Sequence, residues 1–204
     1  RAVIFVNGIM ADPAGVRKLL QADDYLVAVD GGLRHLRALD LTPHLLIGDL
    51  DSLDTQELGT LSEMGVEVEL FPHEKDQTDF ELALEYVAAH GYTDIRVVAA
   101  LGGRLDQTLA NLYLLELPAL EGLDVRLDDG REEVFIIRGR AEIIGQPGDT
   151  VSLLAMDDCV RGVLTDGLRY PLKEETLYQN RSRGISNEML AKAATVQVSS
   201  GRLL

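Results

Sequence analysis

From residue 2 to about residue 128, short apolar, β-branched runs alternate with amphipathic stretches, the pattern of repeated βα units around a parallel sheet. The runs predict strands near Val3–Val6, Tyr25–Val29, Leu45–Ile47, Val66–Phe71, Ile95–Ala100 and Val125–Leu127. Between them Phe80, Ala83, Leu84 and Val87 recur at helical spacing, as do Leu105, Leu109, Leu112 and Leu115, and both sets are expected to be the core faces of helices. Thr78 with Glu81 three residues on predicts a capping box that starts the fourth helix.

Past Asp128 the period shortens to strands separated by glycine turns: Glu133–Arg138, Ala141–Ile144, Val151–Ala155, Val160–Leu164 and Thr195–Val198. The chain therefore divides into an α/β part, residues 1–130, with a three-layer arrangement and a mainly parallel sheet, and a smaller all-β sandwich, residues 131–204. A module of roughly seventy residues is marginal alone, so the sandwich should need packing against the first part or a second copy.

Charge sharpens this division. Residues 1–130 hold 24 acidic and 9 basic side chains, whereas residues 131–204 hold 10 of each, for a formal charge of −15 overall. Such an acidic first part repels nucleic acid and anionic membranes and favours cations. No apolar run approaches the 18 or so residues of a spanning helix, and the single Cys159 fits a reducing compartment, so a cytoplasmic protein is expected, with Cys159 as a small core residue.

In an open parallel sheet, ligands bind beyond the carboxyl ends of the strands. The polar motifs fall in those loops: Asp30-Gly31-Gly32 after the second strand, Gly48-Asp49-Leu50-Asp51-Ser52 after the third, His73 to Asp79 after the fourth, and Gly102-Gly103-Arg104-Leu105-Asp106-Gln107 after the fifth. Six aspartates, Asp30, Asp49, Asp51, Asp76, Asp79 and Asp106, would converge on one edge. Two carboxylates 5 Å apart repel by about 3 kcal/mol at an effective dielectric of about 20, so a cluster of them calls for a cation. Oxygen ligands select Mg²⁺ or Ca²⁺, and the absence of a Cys/His set argues against zinc. Taken singly, Asp30-Gly31-Gly32 is a tight turn, Asp49 and Asp51 are caps, and Asp79 complements a helix dipole. Four acid-bearing loops at one end of one sheet are harder to read as four independent turns.

Lys75 and Arg104 are two of the nine bases in the acidic part, and both sit inside motif loops, where they would clamp phosphate. Gly31 and its neighbours allow backbone N–H groups to approach an anion closely. Neither a GxxxxGK[ST] loop nor a GxGxxG fingerprint is present.

Together the motifs resemble the thiamine pyrophosphokinase family: DGG at 30–32, P-x-x-x-I-GDLDS at 43–52, KDQTDFE-x-AL at 75–84, LGGRLDQTLAN at 101–111, GDTVSLL at 148–154, TDGLRYPL at 165–172 and GISNE at 184–188. The resemblance implies an α/β catalytic domain, a C-terminal β-sandwich that binds thiamine, and a homodimer whose active sites lie between subunits. It also implies Mg²⁺·ATP as donor, attack on the β-phosphorus and AMP as the leaving group. Asp49, Asp51 and Asp79 would be the magnesium carboxylates, with Asp30 and Asp76 close by. Lys75, Arg104 and Asp106 would contact nucleotide and phosphate, with Asp30, Gly31, Gln107 and Asn111 as further candidates. Ser186 and Asn187 would contact the thiamine pyrimidine, and Asp76 or Asp51 would take the proton of its hydroxyl. The catalytic set is therefore Asp49, Asp51, Asp76, Asp79 and Arg104. Family members often place a tryptophan near thiamine, and this chain has none. Tyr170 or Tyr178 would supply an aromatic face instead.

Three other readings compete: diphosphate transfer to a pterin, which gives the GISNE segment no use; a metal-dependent phosphatase, prompted by Asp49-x-Asp51; and a Ca²⁺-dependent binding module without chemistry.

Overall fold

The structure is a computed structural model that describes residues 1–49, 54–72 and 74–204. These residues divide into two compact units, Arg1–Val134 and Phe135–Leu204.

In the first unit the elements run β1 (Ala2–Phe5), α1 (Pro13–Leu19), β2 (Tyr25–Val29), α2 (Leu33–Ala38), β3 (Leu45–Gly48), α3 (Thr55–Glu63), β4 (Glu67–Leu70), α4 (Asp79–Ala89), β5 (Asp94–Val98), α5 (Leu105–Leu114), β6 (Asp124–Asp128) and β7 (Glu133–Phe135). The strands form one sheet in the order β4-β3-β2-β1-β5-β6-β7. The first six are parallel, with registers such as Val3↔Leu26, Val3↔Arg96 and Leu46↔Val68. The four-residue link from β6 to β7, closed by Asp129 N donating to Glu132 O, is too short for a crossover, so β7 runs antiparallel.

Strands β1, β2 and β3 are apolar on both faces, as a sheet covered on both sides requires. On one face Val3, Phe5, Leu26, Ala28 and Leu46 pack with Val16 of α1, Leu33 and Leu36 of α2 and Leu61 of α3. The other face takes α4, whose Phe80, Ala83, Leu84 and Val87 are buried as their spacing predicted and which packs on β2 and β3. Because successive connections move outward from β1 to β4 and then return to β5, the strand order reverses between β1 and β5. The crevice of a doubly wound sheet lies there.

Two expectations need correction. Leu105 is 73% and Leu109 43% exposed, so they are not core; the buried residue of α5 is Asn111, whose Nδ2 donates to Ala100 O at 2.8 Å. That bond turns the helix so that Asn111 and Leu115 face inward and the 105–109 stripe faces out. At α4, Thr78 Oγ1 accepts from Glu81 N, but Glu81 Oε1 takes Gln77 Nε2 instead of the cap backbone. The reciprocal capping box occurs at α3, between Asp54 and Glu57.

The second unit contains β8 (Arg140–Ile144), β9 (Thr150–Val151), β10 (Cys159–Asp166), β11 (Glu175–Tyr178), β12 (Asn187–Glu188) and β13 (Ala193–Gln197). They make a four-stranded sheet, β11-β10-β13-β8, and a two-stranded one, β12-β9, with antiparallel pairing between neighbouring strands. Val160, Val163, Leu172, Leu177, Met189, Val196 and neighbours fill the core between them. Of the predicted Val151–Ala155 strand only Val151 joins a ladder; Ala155 makes an isolated bridge to Leu203. Cys159 is half-buried at the start of β10, outside the core. No described helix is long and apolar enough to cross a membrane.

Candidate functional site

The parallel register brings the carboxyl ends of β1 to β6 to one edge of the sheet, and the chain leaves that edge through the motif loops. After β2, Asp30-Gly31-Gly32 forms a turn of 3-10 helix with Asp30 at φ 47°, a left-handed conformation that Asp and Asn tolerate better than most residues. Gly32 has to be glycine: a Cβ there would lie 1.9 Å from Phe5 O, a contact with main chain that cannot swing away. Asp30 folds its carboxylate over Gly48, the last residue of β3, where an added Cβ would meet Oδ1 at 1.8 Å. The tight turn and the bare glycine thus deliver Asp30 beside Asp49.

The Asp30 carboxyl is pushed up to about 7, first by burial, then by the nearby Asp79 carboxylate, with which it can share a proton, and by Asp49, against the pull of Lys75. Its Oδ1 is buried with no hydrogen-bond partner among the described residues. Asp79 opens α4, and its Oδ1 lies 2.7 Å from Lys75 Nζ in an ion pair whose two side chains are both largely buried. Lys75 also donates to Pro72 O at 3.0 Å and stands 6.0 Å from the centre of the Phe71 ring. Asp30, Asp49, Asp79 and Lys75 are therefore one electrostatic unit drawn from three loops.

The other candidates are placed differently. Asp76 is exposed in the same loop as Lys75. Asp51 lies outside the described residues. Arg104 and Asp106 are both exposed and bind each other in a two-pronged pair, Nε to Oδ1 at 3.1 Å and Nη2 to Oδ2 at 2.6 Å. Gln107 is exposed on the first turn of α5, and Asn111 is buried with its amide committed to Ala100 O. Gly31 faces Asn7, whose side-chain oxygen an added Cβ would meet at 2.4 Å. In the second unit, Ser186 is exposed at φ 56° and its N–H donates to Ser152 Oγ at 3.1 Å. Asn187 is buried: Oδ1 accepts from Tyr170 N and Glu188 N, and Nδ2 donates to Tyr170 O at 2.8 Å. The amide thus grips the main chain of Tyr170, a residue 59% exposed; Tyr178 on β11 is 51% exposed, so neither tyrosine is core.

Asp30, Asp49 and Asp79 bring carboxylate oxygens to the sheet edge, and Asp30 Oδ1 is buried with no hydrogen-bond partner among the described residues, which is the donor chemistry of a hard divalent cation and not of zinc. Among the described residues no three His, Cys, Asp or Glu side chains already stand in metal-holding arrangement.

Comparison with known proteins agrees in both units. The model of the thiamin pyrophosphokinase catalytic domain matches residues 16–127, and that of the thiamin pyrophosphokinase vitamin B1 binding domain matches residues 140–203. A thiamine pyrophosphokinase of Bacillus subtilis is 26% identical over 180 residues, 87% of this chain and 84% of that protein. The crystal structure of a thiamin pyrophosphokinase family protein from Enterococcus faecalis superposes with a TM-score of 0.84 at 26% identity, covering 100% of this chain and 96% of that one. The Bacillus subtilis crystal structure gives 0.87 at 23% identity over 99% and 95%, and shows the shared fold. With a catalytic-domain model spanning more than half its length and both units matched in order, the chain belongs to the thiamin pyrophosphokinase family.

Proposed function

We propose that the chain transfers a diphosphate from ATP to the hydroxyethyl arm of thiamine, giving thiamine diphosphate and AMP. The observation that carries this reading is the cluster of Asp30, Asp49, Asp79 and Lys75 at the carboxyl edge of the sheet, in a chain matched by both family domains. The pterin, phosphatase and calcium-module readings have no support from the family.

Pyrophosphoryl transfer asks the protein chiefly for in-line positioning and charge neutralisation. Asp49, Asp51 and Asp79 would hold Mg²⁺, and a bound ion would supply neutralisation of triphosphate charge. Lys75, already poised on Asp79, adds a positive charge that can turn to a phosphate oxygen. Arg104 offers a planar donor fork on an exposed side chain, and exchanging Asp106 for phosphate would keep both of its bonds. Gly31 supplies close approach of backbone, and Gln107 adds a polar contact. Asn111 supports the loop at Ala100 from inside and acts on the nucleotide only through it. Asp76, exposed in the Lys75 loop, would accept the thiamine hydroxyl proton. In the second unit, Ser186 offers its hydroxyl to the pyrimidine, while Asn187 fixes Tyr170 as the aromatic face for the cationic thiazolium ring. The acidic field of the first unit favours that cation. The chain is further proposed to act as a homodimer in the cytoplasm.

One assay tests this reading: release of AMP from ATP, dependent on both thiamine and Mg²⁺. Phosphate in place of AMP, or no product, overturns it. Asp51→Asn is expected to lower turnover by at least about a thousandfold with an unchanged melting temperature; a near-normal rate removes Asp51 from the metal set.

A further inference from the structure

One part of the sheet edge is built with more fastenings than a loop requires. The segment leaving β1, the central strand, is Val6-Asn7-Gly8, and it runs along the point where strand order reverses. Its main chain is held from two sides. On the β5 side, Val6 N donates to Val98 O at 3.0 Å and Gly8 N to Ala99 O at 2.9 Å, with Ala99 itself at φ 59°. On the α2 side, Arg34 Nη2 donates to both Asn7 O (3.0 Å) and Gly8 O (2.9 Å), and His35 Nε2 lies 3.1 Å from the same Gly8 oxygen.

A carbonyl can only accept, so Nε2 carries the proton. Burial holds the His35 ring below its ordinary proton affinity, outweighing the pull of the Gly8 carbonyl, with the Arg34 charge adding to the lowering. Gly8 accepts no larger residue, because a Cβ would stand 2.2 Å from Ala99 O.

What these bonds immobilise is Asn7. Its side chain is exposed, lies against Gly31, and exchanges no hydrogen bond with any described residue. A polar amide that no described residue engages, on a main chain held from both sides, next to the Asp30-Gly31-Gly32 turn, is what recognition of a charged oxygen needs.

We propose that Asn7 is a substrate-contacting residue, donating from Nδ2 to a phosphate oxygen of the nucleotide, and that Arg34 and His35 are the positioning residues that hold it there. The proposal rests on the diphosphate-transfer reading for the identity of the nucleotide. Asn7 takes the phosphate side of the cluster, between the β5 loop and Gly31, and has no part in binding thiamine.

The test is calorimetric binding of a non-hydrolysable Mg·ATP analogue, alongside steady-state kinetics with ATP and thiamine. Asn7→Ala, an exposed change that leaves the fold intact, should weaken analogue binding and raise the KM for ATP about tenfold, the loss of one hydrogen bond to a charged group. The KM for thiamine should stay within about twofold. His35→Phe, which keeps a ring but removes the donor, and Arg34→Ala should each raise the KM for ATP severalfold, and His35→Gln, which restores a donor, should recover most of it. Analogue affinity of Asn7→Ala within about twofold of the parent overturns the proposal, as does an equal rise in the KM for thiamine. If the parent binds the analogue through Asn7 but releases no AMP, the activity reading falls and the contact stands; if AMP release is normal and Asn7→Ala binds normally, the reverse holds.

Discussion

The Asp30 carboxyl shows how far a single residue can be pushed by its surroundings. It is left-handed in backbone, folded over a glycine, buried, and set beside two other carboxylates. The unfolded chain releases this proton near pH 4, whereas the folded protein keeps it to about 7. Between those values the native state binds more protons, so this group makes stability fall as pH rises, with the full loss reached above 7. Asp30→Asn keeps the shape and the tolerance of positive φ while removing the charge. In chelator-treated protein it should raise the melting temperature by about 2–4 °C at pH 8 and by less at pH 5, while with Mg²⁺ restored AMP release falls well below that of the parent. Equal melting temperatures at pH 8 would mean that the carboxylates do not repel. The acid-bearing loops were legible in the sequence because strand-loop-helix order puts every βα loop at one edge. Asn7, Arg34 and His35 were not: an Asn-Gly turn and two polar helix residues look ordinary until their bonds to Gly8 O are seen.

Among the elements, α4 and α5 show where periodicity suffices and where it does not. Both present apolar residues at helical spacing, but only α4 buries them all. On α5 the inward stripe is set by Asn111, whose side chain caps the Ala100 carbonyl inside the fold, a choice hydrophobicity cannot reveal. Two substitutions separate the helices. Leu84→Ala, at a fully buried site on α4, should cost about 2–5 kcal/mol, while Leu109→Gln on α5 should change stability by less than about 0.5 kcal/mol. Urea unfolding of both variants measures the contrast, and a large loss at Leu109 would show that its face is covered in solution. The strands β11 and β12 have no signature in the sequence for a related reason. Glu175–Tyr178 has a single fully buried side chain, Leu177, between Thr176 and Tyr178, and Asn187–Glu188 is only two residues long, too short to show any period.

On the scale of the whole molecule, charge is the property read most directly from composition. A formal charge of −15, all of it arising in residues 1–130, means that the native state of the first unit works against its own repulsion at neutral pH. Raising NaCl from about 20 to about 200 mM shortens the Debye length several-fold and should raise the melting temperature. Mg²⁺ at equal ionic strength should raise it further if the carboxylate cluster takes the ion. An identical effect of Mg²⁺ and Na⁺ at matched ionic strength would leave screening as the whole explanation. Strand β4 adds a constraint of another kind. It is the open border of the seven-stranded sheet and reads Glu67-Val68-Glu69-Leu70. Two such borders aligned antiparallel about Val68 would set Glu67 against Glu69 twice, like charges directly opposed across a ladder. In that register the glutamates turn a sister copy's border away, so the open edge carries its own deterrent against growth of the sheet from one chain into the next.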